Sequence, residues 1–237
     1  MENLVLLFCL ITAANVIQTV TGFAGTVLVM PFAVMTVGQE LAVSILNVLA
    51  LLMCLFIAVK ERRHIAVKEL RSALPLLIAG MLLAMVLEKS LPETILFRIY
   101  GLFIFGIALV NFFFPPKKKL PEAVNILLEL LAGVIHGLYV SGGPLLVLSL
   151  MHKIPEKEKL RATLSVIWVF TNSLLVVNHC MAGYYTDRFF RICGGMIPAM
   201  VLGIVVGNLI FKRVSKEMFL KVSYGVMALT GIYILAG

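Results

Sequence analysis

Residues 123–151 read AVNILLELLAGVIHGLYVSGGPLLVLSLM, 29 residues in which only Glu129 and His136 can carry a charge. An unbroken helix of that length would span about 43 Å at 1.5 Å per residue, well beyond the ~30 Å of hydrocarbon in a bilayer. The segment SGGP at 141–144 accounts for the excess, because adjacent glycines and a proline suited to a helix start interrupt the hydrogen-bond ladder. The unit reads as helix, break, helix. The first apolar unit, 4–37, has the same form: 34 residues, about 51 Å as one helix, with a break at TGFAG, 21–25.

The remaining apolar stretches run over 41–59, 73–87, 95–114, 162–181, 190–211 and 219–236, which makes eight units joined by short polar connections. No soluble domain fits between them. With 61% hydrophobic and 14% charged residues and a mean hydropathy of +1.06, the chain has more apolar surface than one soluble core can hide, and a bilayer must take the rest. The net charge of +8 sits between apolar stretches, where Lys and Arg face headgroups, so nucleic acid is not expected as a partner. Cys9, Cys54, Cys180 and Cys193 stand singly, without metal-ligand spacing, and read as small core residues; no metal or cofactor is expected. The amino terminus has no basic leader region or small-residue cleavage signal and is expected to remain as the first membrane segment.

The two overlong units are related. At an offset of 118, Val16-Ile17 falls on Val134-Ile135, Gln18 on His136, Gly25 on Gly143 and Val29 on Val147. Pro75 and Gly80 fall on Pro198 and Gly203 at 123; Glu93 and Tyr100-Gly101 fall on Glu217 and Tyr224-Gly225 at 124. The chain therefore divides into repeats at 1–116 and 117–237. If all eight units crossed once, the 20 Lys and Arg would divide evenly between the two faces. If both broken units re-enter on the side they left, the division becomes 16 against 4, which the positive-inside rule prefers. The expected fold is an all-α integral membrane protein of two inverted-topology repeats, each with one broken or re-entrant helical hairpin plus three transmembrane helices. Inverted repeats of this kind are a transporter signature.

Backbone polar groups freed by a break at membrane depth are tolerated only inside protein or against a watery cavity, so the two breaks should meet. The returning arms, from about Thr26 and about Pro144, would start helices whose free N–H groups and positive dipole ends face the middle of the protein. That is an anion site needing no charged ligand. Gly22, Gly25, Gly142 and Gly143 would let an oxyanion approach the backbone, and Thr21, Thr26 and Ser141 supply hydroxyls. Close helix packing is the plainer use of such glycines. Matched breaks in overlong units favour the site. Glu129 and His136, seven residues apart on the arm before the second break, share a helix face and are candidates for proton coupling. Gln18, with Asn15, faces the first break in the same way. Asn47 and Asn172 read as interhelical hydrogen-bonding residues, and Tyr184 and Tyr185 as interfacial anchors.

The segment GVIHGLYVSGGPLLVLSL, 133–150, resembles the second-repeat motif of the TauE/SafE sulfite exporter family, also called TSUP. The first break, TGFAGTVLVMP at 21–31, is similar to that family's glycine-rich stretch followed by proline, with two glycines where many members have three. The resemblance covers the whole chain. It implies a bacterial inner-membrane permease for sulfite, sulfonates or related sulfur-containing or organic anions. No nucleotide-binding motif is present, so gradients would supply the energy. The expected partners are a small anion and the bilayer, and a homo-oligomer is left open. The alternatives are a membrane-embedded enzyme and a non-transporting accessory subunit.

Overall fold

The computed structural model describes residues 4–90, 92–113 and 120–211, with single positions at 213, 215, 225, 228 and 232. Most of the expected final unit 219–236 lies outside the described residues, as do Phe114, the basic run 117–119, Lys212, Lys216, Glu217, Lys221 and Tyr224. The described chain is helical: α1 (Leu4–Thr21), α2 (Ala24–Val37), α3 (Gln39–Lys60), a 3-10 turn (Arg62–His64), α4 (Val67–Ser90), α5 (Glu93–Phe113), α6 (Glu122–Tyr139), α7 (Gly143–Leu150), α8 (Lys157–Met181) and α9 (Asp187–Phe211). Six of these, α1, α3, α4, α6, α8 and α9, are long and apolar enough to cross a bilayer. Large apolar side chains such as Leu55, Leu83, Leu102, Val177 and Leu209 face outward, where lipid rather than water is their natural solvent. The chain is a multi-pass membrane protein. Cys54 and Cys193 are buried as expected, whereas Cys9 and Cys180 lie on the outer surface.

Both overlong units are broken where the sequence interrupts them, and each gives a hairpin of one long and one shorter helix. Between halves the helices exchange partners: α4 packs along α6, α1 along α9, and α3 along α8. Glycines allow this. Gly80 on α4 lies against the backbone of Leu130, Gly133 and Val134, and Gly203 on α9 lies against Thr12, Asn15 and Val16. Small residues at such crossings let two helices approach to backbone contact, the main source of helix association in lipid.

Two contacts give the sense of α3 against α8. Glu61, after the end of α3, pairs with Arg161 in the second turn of α8, and Asn47 Nδ2 on α3 donates to Asn172 O on α8 at 3.3 Å. The helices are therefore antiparallel. Ala66 N–H donates to Thr163 Oγ1 at 2.9 Å, so residues 61–66 and the start of α8 lie at the same end of the bundle.

Candidate functional site

The first break begins where α1 ends at Thr21. Gly22 turns the chain with φ of 81°, a conformation glycine adopts without cost, and its N–H donates to Gln18 O at 2.6 Å. Thr21 Oγ1 donates to Ile17 O at 2.7 Å and accepts from the N–H groups of Phe23 (3.2 Å) and Ala24 (3.1 Å). Gln18 Oε1 accepts from Gly25 N–H at 3.0 Å. The opening turn of α2 is thus capped by side chains of the helix before it. Gly25 lies directly on Ala14 O and Gln18 Cβ, where a Cβ would overlap both.

The second break follows the same plan, with its packing glycine two residues after the turn residue instead of three. Val140, at the position equivalent to Gly22, takes the left-handed conformation with φ of 53°, and its N–H donates to His136 O at 2.8 Å. A β-branched residue is strained there. Gly142 then lies on Ala132 O and His136 Cβ, the repeat equivalents of Ala14 and Gln18. The packing counterpart of Gly25 is therefore Gly142, one residue before the Gly143 that a constant offset pairs with it. Gly143 lies instead against Phe23 of the first break, and Pro144 occupies the second position of α7. The helix of the returning arm starts at Ala24 in the first unit, two residues before Thr26, and at Gly143 in the second, one residue before Pro144. Among the described residues no side chain accepts from the first N–H groups of α7, and its N-cap, Gly142, has no side chain to do so.

The two breaks meet. Thr26 Oγ1 donates to Val140 O at 2.8 Å and Trp168 Nε1 donates to Gly22 O at 2.8 Å, so α8 and the second break hold the first from two sides. His136 is 2% exposed; its Nε2 lies 2.9 Å from Asn172 Oδ1, its ring stacks on Trp168 with centroids 4.7 Å apart, and its Nδ1 has no partner. With Asn172 Oδ1 accepting, Nε2 carries the hydrogen and Nδ1 presents a lone pair. Between the breaks lies a buried cavity of about 10 Å³, lined by Gln18, Phe23, Thr26, Ala50, His136, Val140, Gly143, Trp168 and Asn172. That volume suits one water molecule and not an oxyanion, so the breaks are closed on each other.

Several expected site groups are committed to the backbone. Ser141 Oγ donates to Tyr139 O at 2.7 Å, and Thr21 serves as described, leaving Thr26, Gly143, Gln18 and His136 on the cavity wall. Glu129 and His136 have separate partners. Seven residues of helix put them about 10 Å apart. Glu129 Oε1 accepts from Ser149 Oγ at 2.6 Å and lies 3.8 Å from Lys153 Nζ. Three participants were not singled out by the sequence as site residues: Arg161, Trp168 and Asn172. Arg161, 5% exposed, pairs with Glu61, donates from Nη1 to Thr19 O at 3.0 Å and lies over the Phe211 ring at 3.7 Å from its centroid. Among the described residues no three His, Cys, Asp or Glu side chains gather as metal ligands.

A family model described as Sulfite exporter TauE/SafE matches residues 7–234, nearly the whole chain. The chain belongs to that family. Neither a curated protein nor a solved structure matches it. In this TauE/SafE chain the buried meeting point of the two breaks brings together an uncapped helix start, a hydroxyl, two amides and an imidazole. Such a set offers N–H and O–H groups that an oxyanion could take up once the breaks part.

Proposed function

We propose that the protein is a secondary transporter of a small anion, sulfite, a sulfonate or a related sulfur-containing or organic anion, across a bacterial inner membrane. The observation that carries this reading is the closure of two helix breaks on one buried polar cavity, with the α7 N-terminus, Thr26, Gln18 and His136 on its wall. Among the described residues no side chain accepts from the first N–H groups of α7, whereas those of α2 are taken by Thr21 and Gln18. The anion therefore sits at α7, beside His136. A neutral imidazole with a lone pair at Nδ1 repels an anion; protonation turns Nδ1 into a charged donor. Proton and anion binding at His136 thus reinforce each other, each raising the affinity for the other by the same factor.

Residues 1–116 and 117–237 act as two inverted repeats. The exchange of helix partners supports this, since Gly80 meets Val134 where Gly203 meets Val16, residues the sequence offsets pair. The contact of residues 61–66 with the start of α8 supports it further. Single crossings by the three intervening units would put those segments on opposite faces; a turn back by the broken α6–α7 hairpin accounts for their lying on one.

Thermal stability of the purified protein with sulfite, thiosulfate, sulfoacetate and small carboxylates tests the site. At least one of these anions is expected to raise the melting temperature of the native chain. Gly143→Leu, which drives a side chain into Phe23, is expected to fold, insert and lose that response. A response unchanged in the variant would remove the anion from this cavity.

A further inference from the structure

Buried polar atoms without partners are rare, because each forfeits its hydration for nothing. Among the described residues, five such atoms follow one seam, while others, on Asn125 and His152, lie apart from it. Asn47 on α3 is fully buried with its Oδ1 unpaired, and Ser44 Oγ, one turn away on the same helix, is also fully buried and unpaired. Tyr185, in the connection after α8, has a buried hydroxyl near the Asn47 side chain, with no partner within hydrogen-bond distance among the described residues. His179, two turns beyond Asn172 on α8, is 4% exposed with Nδ1 unpaired. Asn47 Nδ2 reaches Asn172 O at 3.3 Å, and Asn172 Oδ1 takes Nε2 of His136, whose Nδ1 is again unpaired at the cavity. The unmatched groups form a file from the connection 182–186 to the meeting point of the breaks.

The other end of the same seam is built in the opposite way. Eleven residues from Asn172, about 16 Å along α8, Arg161 is matched by Glu61 and by Thr19 O, with Phe211 against its guanidinium. One end is locked by satisfied charges. The other holds neutral polar groups that lack partners and is covered by tyrosine rings, Tyr184 and Tyr185 lying 5.3 and 6.4 Å from the His179 ring.

We infer that the α3–α8 seam from Tyr185 through Ser44 and Asn47 to Asn172 is the passage by which the anion and its water reach the cavity, entered from the side of residues 182–186. Its unpaired hydroxyls, amides and imidazoles are the groups that replace hydration as the ion moves inward. The inference rests on the transport reading above and adds to it the route and the face from which the site is reached.

Single cysteines test it in the full-length protein with Cys9, Cys54, Cys180 and Cys193 replaced by serine or alanine. Ser44→Cys and Asn47→Cys probe the seam, Ala182→Cys marks the face, and Ser165→Cys, between Arg161 and Trp168, probes the locked end. Membrane-impermeant thiosulfonates, one anionic and one cationic, are added to one face of sealed vesicles at a time. From the face that labels Ala182→Cys, positions 44 and 47 are expected to react at least tenfold faster than 165, and the anionic reagent to outpace the cationic one. Ser44→Cys is nearly isosteric and keeps the test available if Asn47→Cys does not fold. Failure of 44 to react from that face, equal reaction at 165, or preference for the cationic reagent overturns the passage. Labelling in the expected pattern by a protein that moves no anion in reconstituted vesicles would leave the passage and contradict the transport reading. Transport with position 44 unreactive would do the reverse.

Discussion

Gly25 and Gly142 press on the backbone of the arm that precedes them, at Ala14 O and Ala132 O, so even a methyl group has nowhere to go. Alanine at either position is expected to destabilise the detergent-solubilised protein by about 1–3 kcal/mol through overpacking, read as a fall in melting temperature. Gly194 on α9 has open space around it, and Gly194→Ala is expected to be neutral or stabilising by up to about 1 kcal/mol. Equal effects at 25, 142 and 194 would contradict the packing described. At His136 the outcome turns on protonation. Anion affinity should fall as pH rises through the pKa of the imidazole, since the protonated ring is the better host, and bound anion should move that pKa upward. His136→Gln imitates the first repeat, and is expected to retain transport while flattening its pH profile. An unchanged profile would reduce His136 to a hydrogen-bonding residue. The sequence singles out His136 because a histidine in an apolar arm is conspicuous. Arg161 is not legible in the same way: a basic residue beside an apolar unit looks identical whether it snorkels to headgroups or is buried, and its partner Glu61 lies 100 residues away.

The broken hairpins were legible as elements because their length conflicts with the bilayer and glycine with proline marks where the conflict is relieved. Their register was less so. The turn at Val140 uses a non-glycine residue in the left-handed region, and the packing glycine follows it by two residues instead of three; no composition rule signals either. The α3–α8 pairing was not legible at all, since apolar helices in lipid offer no amphipathic stripe to match. That pairing carries a prediction. Arg161 serves two acceptors, the Glu61 carboxylate and Thr19 O, so Glu61→Gln strands a buried charge and is expected to cost about 3 kcal/mol. Swapping the charges, Glu61→Arg with Arg161→Glu, is expected not to restore stability, because a carboxylate at 161 would face the Thr19 carbonyl. Recovery of wild-type stability in the swapped protein would show that only the ion pair matters and that the link from α8 to the first break is incidental.

At the scale of the whole molecule, the closed breaks, the matched charges at Arg161 and the partner exchange between halves fit the proposed transporter with its site covered. Both termini and the connection 182–186 are expected outside the cytoplasm, with residues 61–66 and 151–156 inside, on the charge division of 16 against 4; the contact of residues 61–66 with the start of α8 puts those two segments on one face. Thiol labelling of Ala182→Cys from outside and of Arg63→Cys, an exposed position beside the ion pair, only from inside would agree; labelling of both from one face would remove the hairpin topology. The most direct measurement is flux. The purified protein, alone in proteoliposomes, is expected to carry radiolabelled sulfite or one of its small sulfonate or carboxylate relatives across the membrane, saturably and above protein-free vesicles, and Gly143→Leu is expected to abolish it. Correctly folded, inserted protein that moves none of these anions, or a Gly143→Leu variant that moves them as fast as the native chain, would contradict the account.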